Sequence, residues 1–132
     1  MIFLDTSVIY ALADRGDEFH ELARRRFDLA LSSRFRLVTH NYVLVESMAL
    51  LHRRLGRETA LQLARDAAGF EVEWVGEALY QEATAALSAG AGASLVDQVS
   101  FIVMRRRGIA EALAFDTDFV AAGFRLFGTE AD

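Results

Sequence analysis

Met1-Ile2-Phe3-Leu4-Asp5-Thr6-Ser7 is the stretch whose reading decides the fold. Ile2 to Leu4 is an apolar run, and a run of that length fits a short strand in a sheet covered on both faces. Asp5-Thr6-Ser7 interrupts it, and Val8 to Ala13 resumes with a helix-like character. A carboxylate therefore sits where a central strand ends and a helix begins. In open α/β sheets, ligands bind outside that carboxyl end.

Outward from this stretch, strands and helices alternate. Phe19, Leu22, Ala23, Phe27, Ala30 and Leu31 recur at helical spacing and predict a helix over 17–33. Arg36-Leu37-Val38-Thr39 reads as a short strand, and Asn41 as the cap of a helix ending near Leu55-Gly56. A second helix is expected over 58–68, closed by Gly69. Phe70, Val72 and Trp74 alternate with Glu71 and Glu73, which predicts an edge strand. Helices follow over 77–88 and 94–107, joined by Gly90-Ala91-Gly92-Ala93. That connection lacks the third glycine of a dinucleotide loop and follows a helix, so it reads as a linker. Ala112 to Phe115 is a buried strand, broken by Asp116-Thr117-Asp118, which starts a short helix ending at Gly123. Arg125 to Phe127 is a last strand and Thr129 to Asp132 a tail. The expectation is one α/β/α domain over 1–132, with a mostly parallel sheet of four to five short strands.

Composition narrows the chemistry. At 132 residues and 53% hydrophobic, the chain can bury one sizeable core. It has no cysteine, which removes disulfides, zinc fingers and thiol catalysis. It also has no lysine, because all 14 basic residues are arginine. A Walker A loop, a kinase, a Schiff-base enzyme and a phosphate-receiver domain each rely on a lysine, and all lose ground. The longest uncharged stretch, Ala83 to Val96, is too short and too rich in glycine and serine to span a bilayer. The expected setting is soluble and cytoplasmic. The net charge of −5 disfavours a protein that coats nucleic acid non-specifically. Arginines nevertheless cluster at 24–26, at 53, 54 and 57, and at 105–107. Each cluster reads first as a solvated helix end, with a phosphate-gripping role open to the set.

Four acids stand out by their surroundings. Asp5 and Asp116 each follow an apolar strand, where either also serves as a helix cap. Asp97 lies three residues after Ser94, a capping spacing, yet Leu95, Val96, Val99, Phe101 and Ile102 surround it and turn it inward. Glu46 neighbours Tyr42, Val43, Ala49 and Leu50 at helical spacing, a face where a solvated glutamate is not expected. An unpaired buried carboxylate is costly. An arginine would compensate one such acid; a shared cation would serve several. Hard oxygen ligands suit Mg²⁺ or Mn²⁺, and phosphodiester hydrolysis is the natural reaction for such a site. His20, His40 and His52 sit apart without metal spacing and read as surface or structural residues.

Four segments together resemble the PIN domain family. They are Met1 to Ile9, Asn41 to Glu46, Ser94 to Phe101 with Met104 to Ile109, and Ala114 to Phe119. The match runs in order over nearly the whole chain. Its length is most similar to the VapC-type toxins of type II toxin–antitoxin pairs. The resemblance implies a Mg²⁺-dependent endoribonuclease, with Mn²⁺ as a substitute. It carries over Asp5, Glu46, Asp97 and Asp116 as the catalytic quartet, with Asp5, Asp97 and Asp116 on the metal. Glu46 would position a water or a second metal. Ser7 would hold Asp116 or a water at the metal, Thr6 would do similar work, and Asp118 would support the site or a second metal. Asn41 and Gln98 depart from close relatives, which bears on packing or substrate choice. The resemblance further implies an RNA substrate, a cognate antitoxin, a homodimer and no membrane. Two other readings keep the fold: an RNA-processing nuclease without antitoxin, and a catalytically silent interaction module. An aspartate-nucleophile phosphatase would need a second aspartate two residues after Asp5, where Ser7 stands.

Overall fold

The computed structural model describes residues 1–90 and 92–129. The elements run β1 Ile2–Leu4, α1 Thr6–Ala13, α2 His20–Ser32, β2 Leu37–His40, α3 Asn41–Leu55, α4 Arg57–Asp66 and β3 Glu71–Glu73. They continue with α5 Glu77–Ser88, α6 Leu95–Arg107, β4 Glu111–Leu113, α7 Asp118–Ala121 and β5 Arg125–Leu126. A 3₁₀ turn over Ala67–Gly69 leads into β3. All five strands are parallel, in the order β3-β2-β1-β4-β5.

This order explains why the opening stretch matters. From β1 the chain moves outward through β2 to β3, then returns to place β4 on the other side of β1. The direction of winding reverses between β1 and β4. A crevice opens outside the carboxyl ends of strands at such a reversal. Asp5 follows β1 and Asp116 follows β4, so the topology brings both aspartates to that crevice.

Burial matches the expected layering. Ile2, Phe3 and Leu4 are fully buried, as a central strand covered on both faces requires. Helix α6 is buried without a break from Asp97 to Met104, which turns Asp97 inward as its neighbours predict. Gly108 ends α6 in the left-handed region at φ 68°, and Ile109 N–H reaches back to the Met104 carbonyl at 2.9 Å. Strand β3 lies at an edge, as its alternation suggests.

One cap differs from the sequence expectation. His40, not Asn41, caps α3: its Nδ1 accepts from Val43 N–H at 3.3 Å. Asn41 instead accepts the Val75 N–H through its side-chain oxygen. The linker's Ala91 and the tail residues 130–132 lie outside the described residues. Among the described residues, no helix is long and apolar enough to cross a membrane.

Candidate active site and metal centre

Asp5 ends β1 and caps α1. Its Oδ2 accepts from Ser7 N–H at 3.3 Å and from Ser7 Oγ at 2.8 Å. The residue is buried, and burial pushes its carboxyl above the usual carboxylate range. The bonds from Ser7 oppose that rise, and the charge of Asp116 adds to it. Ser7 also accepts from Phe115 N–H at 3.0 Å, one residue before Asp116. Ser7 therefore holds Asp5 directly and tethers the backbone that carries Asp116. This corrects the expectation that it holds Asp116 itself.

Asp97 enters from the first turn of α6. Ser94 caps that helix and accepts the Asp97 N–H at 3.1 Å. Its carboxyl is pushed up to about 6, first by burial and then by the charges of Asp5 and Asp116. These mutual effects mean that the three aspartates share one field.

Asp118 is more central than its place in the sequence suggests. Asp116 Oδ1 accepts the Asp118 N–H at 2.9 Å, which folds the two side chains into one turn. Asp97, Asp116 and Asp118 each offer a carboxylate oxygen, and these oxygens lie within 4.8 Å of one another. Three hard oxygens at that spacing fit an oxygen-seeking divalent cation, which would offset both the burial of Asp97 and the charges of Asp5 and Asp116 beside it. Thr6 Oγ1 and Gln98 Nε2, which follow Asp5 and Asp97 in the chain, are buried without a hydrogen-bond partner among the described residues. Thr6 thus holds none of the acids in the described structure.

Glu46 is not where its neighbours placed it. The buried stripe of α3 is Val43, Ser47 and Leu51, and Glu46 faces solvent beside exposed Val45. The inference that it is a buried acid needing a cation is therefore wrong. Of the four residues that suggested a core face, Val43 is buried, Tyr42 and Leu50 are half-buried and Ala49 is exposed, so Glu46 lies off the edge of the packed stripe.

Sequence reading left His40 without a role in the site's framework. With Nδ1 accepting from Val43, the ring proton sits on Nε2, which donates to Ser100 Oγ at 2.9 Å; Ser100 in turn donates to the Val96 carbonyl at 3.0 Å. This relay joins β2 to the turn of α6 that carries Asp97. Burial pushes the imidazole down to about 4, so it stays neutral. Its place between an apolar strand and an apolar helix start was the available signal.

The arginine clusters are largely engaged within the protein. Arg107 bonds Glu71 at 2.8 Å and Glu73 at 2.9 Å, and Arg106 pairs with Glu82. Arg105 donates to the Ala122 carbonyl at 3.2 Å and lies over the rings of Phe101 and Phe124. Arg54 lies over Tyr10, and buried Arg26 over Phe115. Arg53, Arg54 and Arg105 to Arg107 do lie in last helical turns, as expected, and Arg54 and the last three add these contacts to their place there.

Comparison with known proteins is consistent with this geometry. The family model described as PIN domain matches residues 2–125. The chain is 42% identical over 128 residues to the 23S rRNA-specific endonuclease VapC20 of Mycobacterium tuberculosis, in each of two strains. That alignment covers 94% of this chain and 95% of the relative. A crystal structure of M. tuberculosis VapC20, described as a sarcin–ricin loop cleaving toxin, superposes with a TM-score of 0.83 at 40% identity. It covers 94% of this chain and 96% of that one.

Proposed function

The chain belongs to the PIN domain family, and from that premise we propose that it is a metal-dependent endoribonuclease, the toxin of a type II toxin–antitoxin pair. The observation that carries the reading is the convergence of Asp97, Asp116 and Asp118 at the winding reversal, beside buried Asp5. The likeness to VapC20 points to 23S rRNA, at its sarcin–ricin loop, as the substrate to test first.

Asp5, Asp97 and Asp116 would hold Mg²⁺ or Mn²⁺, with Asp118 joining or supporting them. When bound, the cation neutralises the carboxylates, polarises a phosphoryl oxygen and acidifies water at neutral pH. The chain's own residues supply placement. Ser7 keeps Asp5 turned toward the crevice and fixes the strand that leads to Asp116. The His40–Ser100 bond fixes the turn that presents Asp97. Glu46, at the solvent side, would meet the RNA or orient the attacking water from outside the carboxylate cluster. Thr6 would form part of the wall beside Asp5.

An open groove of about 1040 Å³ is lined by apolar side chains including Ile9, Leu12, Phe27, Leu31, Phe35 and Leu63. It supports the reading that a cognate antitoxin docks an apolar helix on this chain. A homodimer acting in the cytoplasm completes the proposal.

The deciding experiment is cleavage of structured RNAs by purified protein free of antitoxin, with Mg²⁺, Mn²⁺ or EDTA, beside Asp5→Asn. Metal-dependent cutting that is lost in the variant is the expected result. Cutting that persists in EDTA, or in the variant, would overturn the assignment.

A further inference from the structure

We propose that Trp74 is a stacking platform for a base of the RNA substrate close to the scissile phosphate; this rests on the nuclease reading above and names how that site grips its substrate. Trp74 is the only tryptophan in the chain and is 73% exposed. It is also the first residue beyond β3.

The sheet register fixes where that is. Phe3 pairs with Val38 and Val38 with Glu71, while His40 pairs with Glu73. Carried along the strands, this register puts Asp5, His40 and Glu73 in one row across the sheet. Trp74 follows Glu73 directly, just as Thr6 and Asn41 follow Asp5 and His40 to open α1 and α3. Two strand spacings, about 10 Å, separate the Asp5 backbone from that of Trp74 at the same carboxyl rim. A short run of nucleotides bridges that distance.

The loop beneath the indole is anchored. Asn41, the first residue of α3, accepts the Val75 N–H. Behind it, Arg107 clamps Glu71 and Glu73 to α6. The ring is thus presented to solvent from a fixed backbone, so little ordering is lost when a flat ligand stacks on it. Its chain neighbours are Glu73 and half-buried Val75, followed by exposed Gly76 and Glu77. An exposed indole held on a fixed backbone offers a flat face on which a base can stack. Sequence-specific RNA recognition commonly uses splayed bases stacked on aromatic side chains.

Because there is one tryptophan, its emission reports on this ring alone. The test titrates wild-type protein, in Ca²⁺, with a mixed-sequence single-stranded oligoribonucleotide, and measures cleavage kinetics of wild type, Trp74→Phe and Trp74→Ala in Mg²⁺. We expect a solvent-exposed emission maximum that is independent of protein concentration and is quenched by the RNA. We also expect Trp74→Ala to raise KM roughly tenfold with kcat little changed, and Trp74→Phe to recover most of the loss. Cutting without quenching, or an unchanged KM in Trp74→Ala, overturns the role of Trp74 and leaves the nuclease standing. A blue-shifted emission that moves red on dilution also overturns it, by assigning the ring to a contact between copies of the chain. Quenching without cleavage of any RNA, the sarcin–ricin loop included, sinks the nuclease reading and with it the placement beside a scissile phosphate.

Discussion

Ser7 and Phe115 stand 108 positions apart and are joined by a hydrogen bond of 3.0 Å from the Phe115 N–H to the Ser7 hydroxyl. The same hydroxyl donates to Asp5 at 2.8 Å. One side chain thus couples the two strand ends that carry Asp5 and Asp116.

Ser7→Ala should break both bonds, leaving the partly buried Phe115 N–H unmet and Asp5 Oδ2 with only the longer bond from the residue-7 backbone N–H. The expected cost is about 2 kcal/mol of stability, with RNA cleavage reduced tenfold or more because Asp5 loses its orientation. Thermal melts and single-turnover cleavage check this. Unchanged cleavage would show that Asp5 is oriented by other means.

Two buried groups pull the pH dependence of metal-free stability in opposite directions. Asp97 has its carboxyl raised from 3.8 to about 6, so the folded state binds the extra proton. Its stabilising contribution is full below about 4 and is lost as pH rises through about 6. His40 is lowered from 6.5 to about 4, so the unfolded state binds the extra proton. Its contribution is full above about 6.5 and is lost as pH falls toward 4. Asp97→Asn separates the two. In EDTA the variant should melt higher than wild type at pH 7.5, and the gap should close near pH 4. A variant no more stable at pH 7.5 would show that Asp97 carries no repulsive strain.

Divalent metal should reverse that penalty. Mg²⁺ or Mn²⁺ at millimolar concentration should raise the melting temperature of the wild type, because a ligand of the native state stabilises it. Asp118→Asn should reduce the shift, since Asp118 shares the 4.8 Å cluster. Equal shifts in both proteins would remove Asp118 from the metal's neighbourhood.

Glu46 faces solvent, so Glu46→Gln should leave the melting temperature within about 0.5 kcal/mol of wild type. RNA cleavage should nonetheless fall at least tenfold if the acid acts on the bound substrate. Wild-type turnover in this variant would end its catalytic role.

The sequence exposed the sheet and three of the acids because one signal served both. An apolar run that stops at aspartate marks a buried strand and also its carboxyl end, and Asp5 and Asp116 carry that signal. Asp97 was legible because most of its neighbours are apolar, as befits a helix buried along most of its length. Glu46 misled for a related reason. A helix packed on one face only can carry exposed Ala49 and half-buried Tyr42 and Leu50, and residue type alone does not reveal which face is inside. Asp118 was underrated because a hydrogen bond from its own backbone to Asp116, rather than any periodicity, turns it into the cluster. The work of Ser7 and His40 lies in contacts across distant segments, which no local pattern encodes.

The strand order carries a consequence for the chain while it is being made. Asp5 emerges from the ribosome long before Asp97, Asp116 and Asp118, and the place beside β1 stays empty until Glu111–Leu113 has been synthesised. A nascent chain therefore holds one aspartate of the site without its companions, and the tether from Phe115 to Ser7 cannot close until translation has almost reached Asp116. The carboxylate site is thereby complete only once β4 has docked beside β1, so its assembly is tied to the longest-range pairing of the sheet.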